Sequence, residues 1–256
     1  MANDKIIAIM NGARSDSKTD MNKLVKQLFP DFFEMHGDRA TGDDAAIIAG
    51  FATINGRSVA VIATNKGQEL DKRLATNFGS PLPCGYRKAN RIMKTAASLN
   101  IPVITLINTP GAYPGADAEK SGQGQVIAQS ISEMLQLKVP LLTVIVGEAG
   151  SGGALALACS DEIWMLEHSM YTVLSPEGFA SIMWKDGKLA SQAAELMHIE
   201  PQWLKEHGVI ERVLPEDVLA QDAVKLRQLL AQKIAAFAKV SVNELLTKRK
   251  ARFRQF

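Results

Sequence analysis

Cysteine is scarce in this sequence, and its spacing argues against the common cysteine-based sites. The 256 residues contain two cysteines, Cys84 and Cys159, and these form no CxxC pair. This excludes a four-cysteine zinc ribbon and a fold that depends on several disulfides. It is typical of a protein from a reducing compartment. We therefore predict a cytoplasmic protein.

Long apolar runs are also missing. The longest, near IPVITLI, is far shorter than the roughly 20 residues that a helix needs to cross a bilayer. The first residues, MANDKIIAIMNG, lack the basic start, long apolar stretch and cleavage site of a secretory signal. We expect neither a membrane span nor a signal peptide.

Motifs for nucleotides and metals are absent as well. The pattern GxxxxGK[ST] does not occur, and SGQGQVI has Ile127 where a third glycine would complete GxGxxG. His36, His198 and His207 are isolated, and none belongs to an HExxH pattern. We predict that this chain binds neither ATP nor a metal ion directly.

The apolar content is sufficient for one large α/β domain. Hydrophobic residues make up 46% of the chain, and no linker or composition break precedes about residue 215. We predict a single domain over residues 1–256, with a core at about 30–215 and a helical C-terminal arm at about 216–256. The arm is basic and carries the run KRKARFR at 248–254. Such a run is typical of a solvated or frayed end and less often contacts an anion.

Apolar patterning predicts strands that alternate with helices. AIIAGFATI and RSVAVIATN flank Asn55-Gly56, which favours a hairpin with a type I′ turn. The polar stretch before it, 31–44, is predicted to be a loop. Two later apolar strands, 103–108 and 141–146, are each followed by a glycine-rich loop and a helix. Such continuous apolar strands indicate a mainly parallel sheet covered by helices on both faces.

The two glycine-rich loops are the strongest candidates for a site. The first is TPGAYPG, residues 109–115, and the second is GEAGSGG, residues 147–153. The first turn of a helix leaves its N–H groups unpaired, and glycine lets a ligand approach them, so such a junction can hold an oxygen anion. If the two strands are neighbours, both loops open on the sheet edge where ligands bind. The alternative is that the glycines serve only tight turns and close packing.

Side chains offer weaker candidates. Ser151 could be a nucleophile with His168 as its base, but no spacing here fixes a catalytic triad. The adjacent acidic residues Asp43-Asp44 and Asp161-Glu162 are predicted to be solvated rather than to act as an acid and base couple.

Several longer segments, in one order, resemble a single family. They are HGDRATGDD, INGRSVAVIATNKG, NFGSPLPCGYRKANRIM, INTPGAYPGADAEKSGQGQ, GEAGSGGALAL and YTVLSPEGFASIMWKD. Together they cover roughly residues 30–215 and resemble the alpha subunits of the carboxyltransferase of bacterial acetyl-CoA carboxylase.

The resemblance implies a fold and an activity. The implied fold is the α/β crotonase-like (ClpP/crotonase) superhelix of repeated ββα units, followed here by the helical C-terminal arm. The implied activity is that of a biotin-dependent carboxyltransferase, active only with a beta subunit. It transfers the carboxyl group from carboxybiotin on the biotin carboxyl carrier protein to acetyl-CoA. The product is malonyl-CoA, in the first committed step of fatty acid biosynthesis.

The resemblance also implies partners. These are a zinc-ribbon beta subunit in an α2β2 assembly, the biotin carboxyl carrier protein, and the biotin carboxylase that consumes ATP. No biotinylation segment of the AMKM type occurs in this chain, so biotin is expected to arrive on the carrier.

Within such an assembly, the resemblance implies that the alpha subunit holds the ureido oxygen of biotin and the beta subunit holds the thioester oxygen. Backbone amides that stabilise an oxyanion need no side-chain base, which fits the lack of a convincing histidine or carboxylate set. We predict an oxyanion hole at the N–H groups of Gly152 and Gly153. The predicted biotin-binding residues are Gly111, Ala112, Gly150 and Ser151. Gly153→Val is then expected to suppress turnover more than stability.

Two other functions stay open at this point. An enoyl-CoA hydratase or isomerase of the same fold would need a carboxylate such as Glu148 or Glu119, and it would act without biotin. A non-catalytic scaffold would bind its partner through the helical arm and would tolerate substitutions in both glycine-rich loops.

Overall fold

Helices and strands alternate along most of the chain. The computed structural model describes residues 2–15 and 18–256. The helices are α1 (Ala2–Arg14), α2 (Met21–Leu28), α3 (Leu70–Ala75), α4 (Pro83–Ser98), α5 (Ala116–Lys120), α6 (Gln123–Gln136), α7 (Ser151–Ala158), α8 (Pro176–Trp184), α9 (Ala190–Leu196), α10 (Pro201–Glu206), α11 (Ala220–Phe237) and α12 (Val242–Phe253). The strands are β1 (Phe33–Glu34), β2 (Ile47–Ile54), β3 (Arg57–Thr64), β4 (Val103–Thr109), β5 (Leu141–Gly150), β6 (Glu162–Leu166), β7 (Met170–Thr172) and β8 (Arg212–Leu214).

The strands form one sheet. Its order is β1-β2-β3-β4-β5-β6-β8, and β7 pairs with the end of β5. The pairs β1/β2 and β2/β3 are antiparallel, whereas every pair from β3 to β8 is parallel. Parallel neighbours need crossover connections, which the intervening helices supply. The predicted mainly parallel sheet is confirmed.

The hairpin predicted around Asn55-Gly56 is also confirmed. β2 and β3 pair in register from Ile47↔Thr64 to Ile54↔Arg57, so Asn55 and Gly56 form the two-residue turn. Their φ angles are +47° and +74°. A type I′ turn requires positive φ at both central residues, which asparagine and glycine adopt most readily.

Apolar layers cover both faces of the sheet. Val144 packs into one layer and Ile145 into the other, because successive side chains of a strand point to opposite faces. The first layer is completed by α2 and α11, for example through Leu230, and the second by α4, α6 and α7, for example through Ile92. No helix in the described ranges combines the length and the apolar character needed to cross a membrane.

The second glycine-rich segment is not a loop, which corrects one prediction. β5 continues through Gly150, and α7 begins at the next residue, Ser151. The strand extends this far because both of its sides stay paired. Thr109 of β4 lies opposite Ala149, and β7 pairs with β5 from Glu148↔Met170 to Gly150↔Thr172.

A short strand interrupts the loop predicted at 31–44, and the prediction of solvated acidic pairs holds for Asp43 but is wrong for Asp44. Phe33 and Glu34 form β1 along β2. Asp44 is buried and accepts hydrogen bonds from the N–H groups of Ala46 and Leu82, at 2.9 and 2.8 Å. Each carboxylate finds donors from segments distant in sequence, which local patterning does not reveal.

The basic run KRKARFR is solvated only in part, since Lys248, Lys250 and Arg254 are exposed but some other residues of the run are not. Its residues lie in α12 and just beyond it, and the side chain of Arg249 is completely buried. The Arg249 guanidinium donates hydrogen bonds to Asp161 and to the carbonyl groups of Met134, Leu137 and Val139. Saturated with acceptors in this way, an arginine can be buried without an unpaired charge.

Candidate functional site

Two glycine-rich segments meet at the carboxyl edge of the sheet. β4 and β5 are parallel neighbours paired from Val103↔Leu141 onward, and they end together at Thr109↔Ala149. Pro110–Ala112 and Gly150–Gly153 therefore lie side by side, as the sequence predicted. This is the edge at which ligands bind in parallel α/β sheets.

Two of the predicted glycines hold these segments against each other. A Cβ atom at Gly150 would lie 2.0 Å from the carbonyl oxygen of Pro110. A Cβ atom at Gly153 would lie 2.2 Å from the amide nitrogen of Ala112 and 2.7 Å from the hydroxyl of Tyr86. Neither position has room for a side chain, so the packing alternative applies to both residues. Gly153→Val is now expected to lower stability as well as turnover.

In the first glycine-rich segment, residues 109–115, some polar groups already form hydrogen bonds within the protein. The N–H of Gly111 donates to Thr109 Oγ1 at 3.0 Å, and that hydroxyl donates to the carbonyl of Gly79 at 2.6 Å. Gly111 is buried and has φ +135°, a conformation open to glycine alone in practice. Ala112 is half-buried beside it. This turn packs against the start of α7.

The first turn of α7 is less tightly packed than the neighbouring segment. Ser151 is exposed and has φ +57°, in the left-handed region that non-glycine residues rarely adopt. Gly152 is half-buried, and the nearest atom to a Cβ built there is Ile127 Cγ2 at 3.4 Å. Among the described residues, no side chain accepts a hydrogen bond from this helix start. Its N–H groups have no acceptor inside the helix, and the helix dipole makes this end favourable for negative charge.

A cavity of about 410 Å³ opens beside this helix start. Its polar lining comes from Ser151, Gly152, Tyr171 and Thr172. The remaining lining is apolar or aromatic and includes Leu155, Val173, Leu204, Val209, Phe253 and Phe256. The volume lies within the ~300–1,000 Å³ typical of small-molecule sites, and the combination of apolar walls with a few polar groups is typical too.

The structure thus separates the six predicted residues into two groups. Ser151 and Gly152 line the cavity. The other four lie at the same junction and form its packed support: Gly111, Ala112, Gly150 and Gly153. The sequence patterns did not predict that residues of α10, β7 and α12 line the other side of this cavity. Phe253 had been assigned to a solvated end, and no local signal indicates that it returns to this edge.

A buried carboxylate lies at the same edge of the sheet. Glu148 accepts hydrogen bonds from Arg14 Nε at 2.8 Å and Lys66 Nζ at 2.5 Å. Arg14 also contacts both oxygens of Glu177, at 2.6 and 3.1 Å. The hydrogen bond to Glu177 raises the pKa of Arg14 above its ordinary value, against the opposing effect of burial. Glu148 is therefore engaged in ion pairs that connect α1 to β5 and α8.

The side-chain alternatives gain little from the structure. His168 lines a different cavity, of about 770 Å³, where its Nδ1 lies 3.8 Å from Glu216 Oε1. Ser151 does not line that cavity. Glu119 is exposed on α5. Over residues 2–15 and 18–256, no cluster of three or more His, Cys, Asp or Glu side chains is arranged to hold a metal ion.

Residues 5–256 match the family described as acetyl co-enzyme A carboxylase carboxyltransferase-like. The chain belongs to this family. Among its relatives, this carboxyltransferase-like chain is 46% identical over 250 residues to the acetyl-coenzyme A carboxylase carboxyl transferase subunit alpha of Streptococcus pyogenes serotype M5 (strain Manfredo), with 97% of this chain and 98% of the relative covered. It is 47% identical over 258 residues to the subunit of the same name from Streptococcus sanguinis (strain SK36), with 98% and 99% covered.

Solved structures similar to this carboxyltransferase-like chain confirm the crotonase-like fold. The hexameric transcarboxylase 12S with methylmalonyl-coenzyme A bound superposes with a TM-score of 0.73 at 20% identity, over 88% of this chain and 43% of that chain. A Pseudomonas malonate decarboxylase hetero-tetramer in complex with coenzyme A gives a TM-score of 0.72 at 19% identity, over 93% and 98% of the two chains. At these identities the likeness concerns the fold alone.

Proposed function

We propose that this chain is the alpha subunit of an acetyl-CoA carboxylase carboxyltransferase. In a complex with a beta subunit, it transfers the carboxyl group of carboxybiotin to acetyl-CoA and yields malonyl-CoA. The observation that carries the proposal is the near-complete alignment, at 46% and 47% identity, with two streptococcal alpha subunits. An α2β2 assembly, a biotin carboxyl carrier protein and a cytoplasmic location belong to the same proposal.

The cavity beside α7 fits the biotin group. Biotin has a largely apolar fused ring system with one polar ureido edge, and the cavity has apolar walls with its polar groups at Ser151, Gly152, Tyr171 and Thr172. The space in front of Gly152 is open, since a Cβ there would meet only Ile127 Cγ2, at 3.4 Å. The near-planar ureido ring of biotin can therefore approach the backbone of this turn closely.

Carboxybiotin, when bound, would supply the carboxyl group to be transferred, with negative charge developing on its ureido oxygen. The N–H groups of Gly152, at the cavity, and Gly153, behind it, would donate to this oxygen, and the dipole of α7 would add a favourable field. Ser151 lines the same cavity. Loss of one such donor typically costs roughly 3–4 kcal/mol of transition-state stabilisation, or about 100- to 1,000-fold in rate.

The packed support keeps this turn rigid. Gly150 and Gly153 bring the backbone of α7 against Pro110 and Ala112, so that the helix start cannot shift without displacing the end of β4. Donors fixed before the reaction need no reorganisation as charge develops, which is the main benefit of backbone oxyanion sites.

The rival hydratase activity needs a free carboxylate at the cavity. Glu148 is paired with Arg14 and Lys66, and neither Glu148 nor Glu119 lines the cavity beside α7. These contacts favour carboxyl transfer by backbone stabilisation over proton transfer by a glutamate.

The test is the reverse reaction, carboxyl transfer from malonyl-CoA to free biotin, with the purified chain alone and with its cognate beta subunit. We expect turnover only when both subunits are present. Full activity of the lone chain would contradict the division of the site between two subunits. Hydration of an enoyl-CoA without biotin would instead identify the hydratase. The non-catalytic scaffold would be identified by a chain that binds its beta subunit normally and keeps this binding and its function in the assembly in the Gly152→Ala and Gly111→Ala variants.

A further inference from the structure

Two aromatic rings from the C-terminal end of the chain line the cavity beside α7. Phe253 is the last residue of α12, and Phe256 lies three positions beyond it. Phe253 is half-buried against the apolar layer of α4, α6 and α7, whereas Phe256 is 66% exposed. A phenylalanine this exposed is not needed for packing of the core, which leaves its ring free to contact a molecule in the cavity.

The end of α12 is fixed by charged contacts. Arg252 donates hydrogen bonds to the carbonyl oxygens of Ser160 and Val209, at 3.2 and 2.6 Å, and pairs with Glu211 at 3.1 Å. Its guanidinium carbon lies 5.3 Å from the centre of the Phe253 ring. Together with buried Arg249 one turn earlier, these contacts set the position of the helix end. Phe253, the first ring of the aromatic wall formed by Phe253 and Phe256, is therefore held in place by the fold, and Phe256 follows it at the exposed end.

The lining of the cavity discriminates between the two reactants of the proposed reaction. No Lys or Arg side chain lines it, so it offers no partner for the phosphate groups of coenzyme A. The lining residues with polar groups are Ser151, Gly152, Tyr171 and Thr172, and the rest of its lining is carbon-rich. A ring with one hydrogen-bonding edge and an apolar body matches this pattern, because each part then meets a surface of its own kind.

We propose that Phe253 and Phe256 hold the apolar body of the biotin ring while its ureido edge contacts the start of α7, and that they set the affinity for biotin. This inference rests on the proposed carboxyltransferase function. It assigns to the C-terminal aromatic residues a binding role in the same site, independent of the affinity for the acyl-CoA.

Phe256→Ala is the decisive variant, because Phe256 is the more exposed of the two rings. In the reverse assay with the complete alpha and beta complex, we expect the KM for free biotin to rise about tenfold, which corresponds to about 1.4 kcal/mol. The KM for malonyl-CoA and the kcat at saturating biotin are expected to change less than twofold. Phe256→Leu, which keeps apolar volume but not the ring, is expected to give a smaller rise.

Binding is also measured without turnover. Saturation-transfer NMR of free biotin with the wild-type complex is expected to show transfer to the biotin ring protons, and Phe256→Ala is expected to weaken it. Phe33→Ala is the matched control, since Phe33 is 68% exposed on the edge strand β1 and does not line the cavity. It is expected to leave both readouts unchanged.

The outcomes separate the two proposals. If the wild-type complex transfers carboxyl groups but Phe256→Ala keeps the wild-type KM for biotin and the NMR signal, the aromatic wall has no binding role and the proposed function stands. A parallel rise of the KM values for biotin and malonyl-CoA would also overturn the inference, since it would indicate an effect on assembly. A wild-type complex without carboxyl transfer would remove the proposed function itself.

Discussion

Arg249 and Asp161 form a fully enclosed, two-point ion pair at the junction of α12 with the sheet. Arg249 Nε lies 2.8 Å from Asp161 Oδ1 and Arg249 Nη2 lies 2.7 Å from Asp161 Oδ2. The two side chains are 0% and 6% exposed. Asp161 Oδ2 also accepts the N–H of Leu141, at the start of β5, at 2.7 Å. This ion pair therefore connects α12 to the central strand β5.

Arg249→Leu is expected to destabilise the protein by roughly 3–5 kcal/mol, because it leaves a buried carboxylate and three carbonyl groups without their donor. Urea unfolding monitored by circular dichroism measures this. Lys248→Leu, at a neighbouring position that is 71% exposed, is the matched control and is expected to change stability by less than about 0.5 kcal/mol. If Arg249→Leu lowers the free energy of unfolding no more than Lys248→Leu does, the buried ion pair does not stabilise the fold.

Gly152→Ala and Gly153→Ala are expected to act differently although the residues are adjacent. A Cβ at Gly153 meets the backbone at 2.2 Å, so this variant is expected to lose about 1–3 kcal/mol of stability through overpacking. A Cβ at Gly152 meets Ile127 Cγ2 at 3.4 Å, which the fold accommodates. The methyl group then separates biotin from the turn and lowers kcat on the order of 100-fold.

Thermal unfolding and the reverse assay, applied to both variants, check this contrast. If Gly152→Ala keeps full turnover at wild-type stability, close approach to this turn plays no part in the reaction.

Ser151→Gly is expected to raise the free energy of unfolding by about 0.5–1 kcal/mol. Ser151 holds φ +57°, which costs a non-glycine residue roughly 1–2 kcal/mol, and the greater freedom of glycine in the unfolded chain offsets part of the gain. Ser151→Ala keeps the strain and removes the hydroxyl, so it separates the two effects. A destabilised Ser151→Gly protein would indicate that the serine hydroxyl stabilises the turn by more than the backbone costs.

Acid is expected to destabilise the fold through Asp38. Burial raises the pKa of its carboxyl, but hydrogen bonds from the N–H groups of Gly42, Ala40 and Thr41 and from Arg87 outweigh this and hold the pKa well below its ordinary value of 3.8. Between the folded and unfolded pKa values, the unfolded chain binds more protons. The stabilisation is therefore complete above about pH 5 and is lost progressively as the pH falls through 3.8 toward the folded pKa.

Asp38→Asn is expected to lower stability by about 1.5–3 kcal/mol at pH 7, since the hydrogen bonds no longer end on a charge. The difference from wild type is expected to shrink as the pH is lowered to 3. Melting temperatures over this pH range measure it. Asp117→Asn, at a fully exposed carboxylate, is the control and is expected to follow the wild-type curve. A constant difference at every pH would contradict the role of the carboxylate charge.

Local chemistry determined much of the fold in advance. The φ preferences of Asn55 and Gly56 specify the hairpin turn, and the continuous apolar runs specify buried parallel strands. The two strand-and-glycine segments also indicated the sheet edge that carries the cavity. These features depend on neighbouring residues, so they can be read from the order of the amino acids.

Tertiary structure decided the rest, because the interacting groups are far apart in the chain. Arg249 and Asp161 are separated by 88 positions, so the burial of a basic segment could not be read from its own composition. The same holds for the division of the glycines, where a Cβ at Gly153 would clash with the backbone of another segment and a Cβ at Gly152 would meet one methyl group of Ile127. Burial and close approach are properties of pairs of surfaces, and only folding brings those surfaces together.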